Sequence, residues 1–146
     1  RATDMEIRRR YGKSPLEIGA NLISRTAVAA LTLLRDIAAG DSPIPLAWHP
    51  DKLGPLSAIE VYPAVTRLAR GAPDKGGSLE GLSRWLRFDP GYDTTGLPAD
   101  AIDAAVCVLA AADFIQGSCT PPEDLEQPRK EGWIWAPGSA SSLAVG

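Results

Sequence analysis

The chain has 146 residues, 45% of them hydrophobic and 23% charged, proportions that suit one globular domain with a core of its own. A formal charge of −3 at pH 7 excludes a strongly basic protein that coats nucleic acid, though not an enzyme that meets nucleic acid through a local basic patch and bound metal. No apolar run reaches the roughly 18 residues of a membrane span and no signal-peptide pattern opens the chain, so the expected setting is cytoplasmic.

In chain order, the first element expected is a short basic helix over "DMEIRRRYG", capped by Thr3, with Asp4 and Glu6 in its first turn. A longer helix follows over about 21 to 39. Leu22, Ile23, Ala27, Ala30, Leu31, Leu34 and Ile37 recur there at helical spacing, and Gly40 closes it. "PLAWHP" reads as a short extended piece between prolines. Residues 57 to 62 alternate as a strand, with Ile59 and Val61 on one side and Ala58, Glu60 and Tyr62 on the other. Pro63 then opens a helix to about Arg70, closed by Gly71, so strand runs directly into helix as in half of a βαβ unit.

After a Gly-rich loop, "SLEGLSRWLRF" predicts a short amphipathic helix with Leu79, Leu82, Trp85 and Leu86 inward. The loop "GAPDKGGS" lacks P-loop spacing, although its Lys75 could approach a phosphate. "PADAIDAAVCVLAAADFIQG", 98 to 117, predicts one helix with an apolar stripe through Ala104, Cys107, Val108, Ala111, Phe114 and Ile115. "SCTPPEDLEQPRK" is a connection with little capacity to pack. "EGWIWAP" reads as an edge strand anchored by Trp133 and Trp135. The balance is about four helices and two or three strands.

Two cysteines outside any CxxC pair and a single histidine, His49, make a zinc site, a disulfide scaffold or a His-dependent nucleophile poor explanations of this chain. The run Arg8, Arg9, Arg10 and Lys13 reads first as a solvated helix face and second as a phosphate contact. Three acids ask for more. Asp100 and Asp103 project onto the expected apolar stripe of the 98–117 helix. Asp100 falls in the first turn, where the helix dipole alone accounts for a carboxylate. Asp103, a turn further in, needs a partner or the rim of a cleft, since an unpaired buried charge costs several kcal/mol. Glu60 stands near a strand end, either solvated, paired with an arginine, or facing a ligand. Taken together, Glu60, Asp100 and Asp103 could line one cleft and hold Mg²⁺ or Mn²⁺, as in sites that hydrolyse phosphodiesters.

"SAIEVYPA", "DAIDAAVCVLAA", a glycine, a proline-rich gap and "EGWIWAP" resemble, in that order, the C-terminal part of domain-of-unknown-function family 429, and "RATDMEIRRRYGKSPLEIGANLIS" resembles its preceding segment. The resemblance implies a predicted metal-dependent nuclease of α/β, ribonuclease H-like fold. It carries Glu60 to the middle acid and Asp100 and Asp103 to the final-helix acids of such enzymes, with nucleic acid, DNA or RNA, as partner. It also implies a further aspartate on a first strand, and Arg1 opens the chain without one. The expected chain is therefore a partial ribonuclease H-like domain over 1–137, lacking the N-terminal β-hairpin region, with a flexible tail over 138–146. A homo-oligomer or partner chain completing the sheet follows from the open sheet edge. The alternative is a non-catalytic binding or regulatory module without a complete acid set.

Overall fold

In the computed structural model, residues 1–15, 21–38, 42–73 and 79–138 are described. Gly40, Lys75 and the expected tail beyond Gly138 lie outside them. Among the described residues five α-helices follow one another: α1 (Ala2–Tyr11), α2 (Asn21–Ile37), α3 (Pro63–Leu68), α4 (Ala99–Ile115) and α5 (Glu126–Glu131), with 3₁₀ turns at Pro50–Lys52 and Leu79–Leu82.

Among the described residues the expected α/β, ribonuclease H-like sheet is not formed. Among the described residues, β pairing is confined to three isolated bridges: Leu46 with Ala58 and Glu60 with Ile134, both parallel, and Cys119 with Pro137, antiparallel. The reason is local. Pro43, Pro45, Pro55, Pro63 and Pro137 punctuate the extended segments and remove the N–H groups that a continuous ladder needs. Pro137 is tolerated at its bridge because the hydrogen bonds there run through its neighbours, Thr120 N–H to Ala136 O and Gly138 N–H to Ser118 O. The chain is instead a helical domain in which short extended segments serve as connectors.

Helix α1 starts one residue before the expected cap. Thr3 lies inside it, fully buried, and its Oγ1 accepts the Ile134 N–H at 2.9 Å, tying the helix to the C-terminal segment. Helix α3 opens on Pro63, whose fixed φ suits a first helical position, and buries Val65 and Thr66. The connection expected to pack poorly forms α5. Its Pro128 sits in the first turn, where the missing N–H would have no partner, and becomes buried.

Helix α4 presents a different stripe from the expected one. Ile102, Val106, Leu109, Ala110, Asp113 and Phe114 are buried, whereas Ala104, Val108 and Ile115 are exposed. The helix is apolar on nearly every side, so composition does not select a face and packing against α3 does. Its residues join two parts of the core. Ile102, Val106 and Leu109 pack with Leu79 and Leu82; Phe114 packs with Cys119, Trp133 and Trp135, meeting the Trp135 ring edge-on at 4.7 Å. Trp85, expected inward, is exposed, with the Arg84 and Arg70 guanidinium groups 4.7 and 5.5 Å from its ring centre.

Candidate functional site

Each of the three acids singled out in the sequence has its own surroundings. Glu60 occupies the extended segment before α3 and accepts a hydrogen bond from Arg1 Nη1 at 2.7 Å; the same Nη1 reaches the Glu131 carbonyl at 3.3 Å. Gly132 makes room for this pair. It adopts φ +85°, and a Cβ built there would stand 2.6 Å from Glu60 Oε2 and 3.3 Å from Arg1 Nη1.

Asp103 faces α3. Its Oδ1 accepts a bond of 2.6 Å from Arg67 Nη2, and the arginine side chain is only 6% exposed while the aspartate is 50% exposed. The carboxylate is thus the wet end of a pair whose dry end is the guanidinium. Asp100 is exposed in the first turn of α4, with no hydrogen-bond or ion-pair partner among the described residues, the position where the helix dipole favours a carboxylate.

The buried acid is one that periodicity passed over. Asp113 lies on the buried stripe of α4 and accepts 2.7 Å from Arg70 Nη2, both side chains being about as buried as the core, at 7% and 6% exposure. Its Oδ2 and Arg70 Nε have no hydrogen-bond partner among the described residues. The signal was present in the sequence: Asp113 stands four residues from Leu109 and eleven from Ile102, in register with the true stripe. Nearby, burial pushes the Cys119 thiol up to about 12, the Asp113 charge adding to the effect and Arg70 opposing it.

These placements do not fit the expected Mg²⁺ or Mn²⁺ site. Among the described residues no three of His, Cys, Asp and Glu are set to share an ion, and Glu60 and Asp103 each give an oxygen to a guanidinium that a cation would have to displace. A cleft of about 390 Å³ between α1 and the 120–128 segment contains none of the three acids. Its walls carry Glu6, Arg9 and Arg10 on one side and Glu123 and Asp124 on the other. Glu6 binds both arginines, and Arg9 first, then Arg10, hold its carboxyl below the ordinary value against the effect of burial. His49, the lone histidine, accepts the Asp51 N–H at 3.3 Å and so caps the 3₁₀ turn.

The surface offers two further features. On α2, Val28, Leu31, Leu33 and Ile37 are 63, 67, 59 and 49% exposed. On the segment after the second 3₁₀ turn, Trp85, Phe88 and Tyr92 are exposed beside Arg84 and Arg87, with the Phe88 and Tyr92 rings stacked at 5.7 Å. Among the described residues no helix is long and apolar enough to cross a membrane.

Fold and site together define a small helical domain with arginine-compensated acids and a helix, α2, that exposes four large aliphatic side chains. Compared with family models, with curated proteins and with solved structures, the chain matches none.

Proposed function

We propose that this chain works as a non-catalytic binding module that associates with protein through α2. The observation that supports this is the exposure of four large aliphatic side chains on one 17-residue helix, at 49 to 67%. A helix of this amphipathic composition is stable in a protein when its apolar side is covered, and fully burying each such side chain is worth about 1.5–3 kcal/mol. Val28 and Leu31 neighbour one another on one side of the helix, and Leu33 and Ile37 on another; large exposed apolar side chains grouped in this way mark contact sites. The test is the variant Leu31→Glu with Ile37→Glu. Reduced binding of the dye anilinonaphthalene sulfonate, with stability unchanged to within about 0.5 kcal/mol, is the expected result. A loss of about 2 kcal/mol or more would mean that these side chains are already packed inside the domain, and would overturn the reading.

The second reading is the nucleic-acid enzyme that the family resemblance implies. In its favour stand the exposed Trp85, Phe88 and Tyr92 beside Arg84 and Arg87, residue types on which bases stack and phosphates pair. Calorimetry with Mn²⁺ on the parent chain, Glu60→Gln and Asp103→Asn separates the two readings. Saturable binding that both substitutions abolish would favour the enzyme; no saturable binding is expected of the module.

A further inference from the structure

We propose that the cleft between α1 and the 120–128 segment binds a dipeptide by its two charged ends, the carboxylate at Arg9, Arg10 and Thr120 and the ammonium at Glu123 and Asp124. The site is separate from α2 and does not rest on the reading of that helix. On the α1 wall two guanidinium groups share one carboxylate. Glu6 accepts from Arg9 Nε and Nη2 at 3.0 and 2.8 Å and from Arg10 Nε, so the wall keeps an excess of positive charge. Arg9 Nη1 and Arg10 Nη2 have no partner among the described residues. The Thr120 hydroxyl accepts from Arg10 Nη1 and keeps its own hydrogen to donate. Across the cleft, Glu123 and Asp124 are exposed and have no cationic partner among the described residues. Asp124 Oδ1 accepts only the Glu126 N–H, at 2.9 Å. Two walls of opposite sign that do not pair with each other are complementary to a ligand carrying one charge at each end.

Between the charged walls the lining is apolar and stiff. Pro121, Pro122, Pro128 and Trp133 supply it, and each proline has its φ fixed. Trp133 Nε1 donates to the Thr120 carbonyl at 3.1 Å, and the Thr120 N–H to the Ala136 carbonyl at 3.0 Å. The polar groups are thus held in place before a ligand arrives, which lowers the entropy lost on binding. Size then selects the ligand. A cavity of about 390 Å³ is roughly 7 Å across, the span of two extended residues at about 3.3–3.6 Å each. A single amino acid carries both charges on one carbon and reaches one wall only, whereas a longer peptide overruns the width. Apolar side chains on the dipeptide would lie against the prolines and the indole.

The experiment is an NMR titration of the whole chain with alanyl-leucine, beside alanyl-leucinamide, which lacks the carboxylate, and propionyl-leucine, which lacks the ammonium. Saturable shifts are expected in the amides of Arg9, Arg10, Thr120 and Glu123, with a dissociation constant on the order of 1 mM that rises about tenfold for either analogue. Glu123→Gln should weaken alanyl-leucine about threefold or more and leave propionyl-leucine unchanged, which ties the ammonium to that wall. No saturable shift up to about 20 mM would overturn the proposal. So would one constant shared by all three compounds, since charge would then play no part. Shifts centred on α2 would overturn it as well, because they would mark an apolar solute on exposed aliphatic side chains.

Discussion

Arg67 and Asp103 meet at 2.6 Å across α3 and α4, with the cation buried and the anion half in water. This asymmetry decides what the carboxylate is for. A guanidinium cannot shed its charge by deprotonation, so a buried one requires an anion within reach, and Asp103 supplies it. An acid held apart by other acids in an empty metal site would gain from neutralisation; an acid that compensates an arginine loses by it. Asp103→Asn is therefore expected to lower stability by about 1–2 kcal/mol, discounted for the exposure of the aspartate. Urea unfolding without added metal measures the sign, and a stabilised variant would contradict this account. The double variant with Arg67→Met should recover part of the loss, since it removes the charge left behind.

The Arg70–Asp113 pair is the more costly one to break, because both partners are as buried as the core. Asp113→Ala leaves a buried cation beside Trp85 and should cost about 3–5 kcal/mol. Replacing both, Arg70→Met with Asp113→Leu, should be far milder, because two apolar side chains need no compensation. Circular-dichroism melts of the two variants give the comparison; equal losses would show that packing volume rather than charge governs the site.

Gly132 carries a conformational and a steric requirement at one position. Its φ of +85° with ψ of 165° is a region essentially confined to glycine, and an added Cβ would press on the Glu60 carboxylate. Gly132→Ala should destabilise by about 1–3 kcal/mol. Adding Glu60→Ala should relieve only the steric part, because the backbone strain remains. Complete rescue in the double variant, read by chemical denaturation, would place the whole cost on the side-chain contact.

The Cys119 thiol gives a pH dependence of definite sign. Its pKa is raised in the folded chain to about 12 from an ordinary 9.0, so the unfolded chain loses this proton first. The stabilising contribution is complete below about pH 9 and is lost progressively as the pH rises toward 12. The urea midpoint of the parent should fall between pH 9 and 10.5 by more than that of Cys119→Ala, Cys107 being present in both. Parallel curves for the two proteins would show that the thiol is not the group responsible. In the folded state the same burial should make Cys119 slow to alkylate at pH 8, and mass spectrometry after brief iodoacetamide treatment reports it.

Much of the local structure was legible in the residues themselves. The helices expected at 21–39, 63–70 and 98–117 correspond to Asn21–Ile37, Pro63–Leu68 and Ala99–Ile115, because apolar periodicity, a proline at a first turn and glycines after the last turn act within a few residues. Trp133 and Trp135 are legible as anchors from the sequence and are buried, since side chains of that size seldom find another way to leave water. The chemistry of each acid was legible only as a choice: Asp103 needed a partner, and Glu60 was compatible with an arginine.

Which choice holds was decided by tertiary structure. Arg1 lies 59 residues from Glu60, Arg67 36 from Asp103, and Arg70 43 from Asp113, and nothing in the spacing of the chain pairs them. The buried face of α4 was hidden for a related reason: a helix apolar on nearly every side has no preferred stripe until α3 packs on it, and that contact turned Asp113 inward in place of Val108. Strand propensity at 57–62 and 131–137 failed in the same way. A strand exists only when a neighbour supplies a ladder, and prolines in the adjoining segments leave single bridges where a sheet was expected. Local propensity and periodicity, acting over a few bonds, set where this chain is helical; the burial of charge and the choice of face depend on residues tens of positions apart, and only the folded chain brings those together.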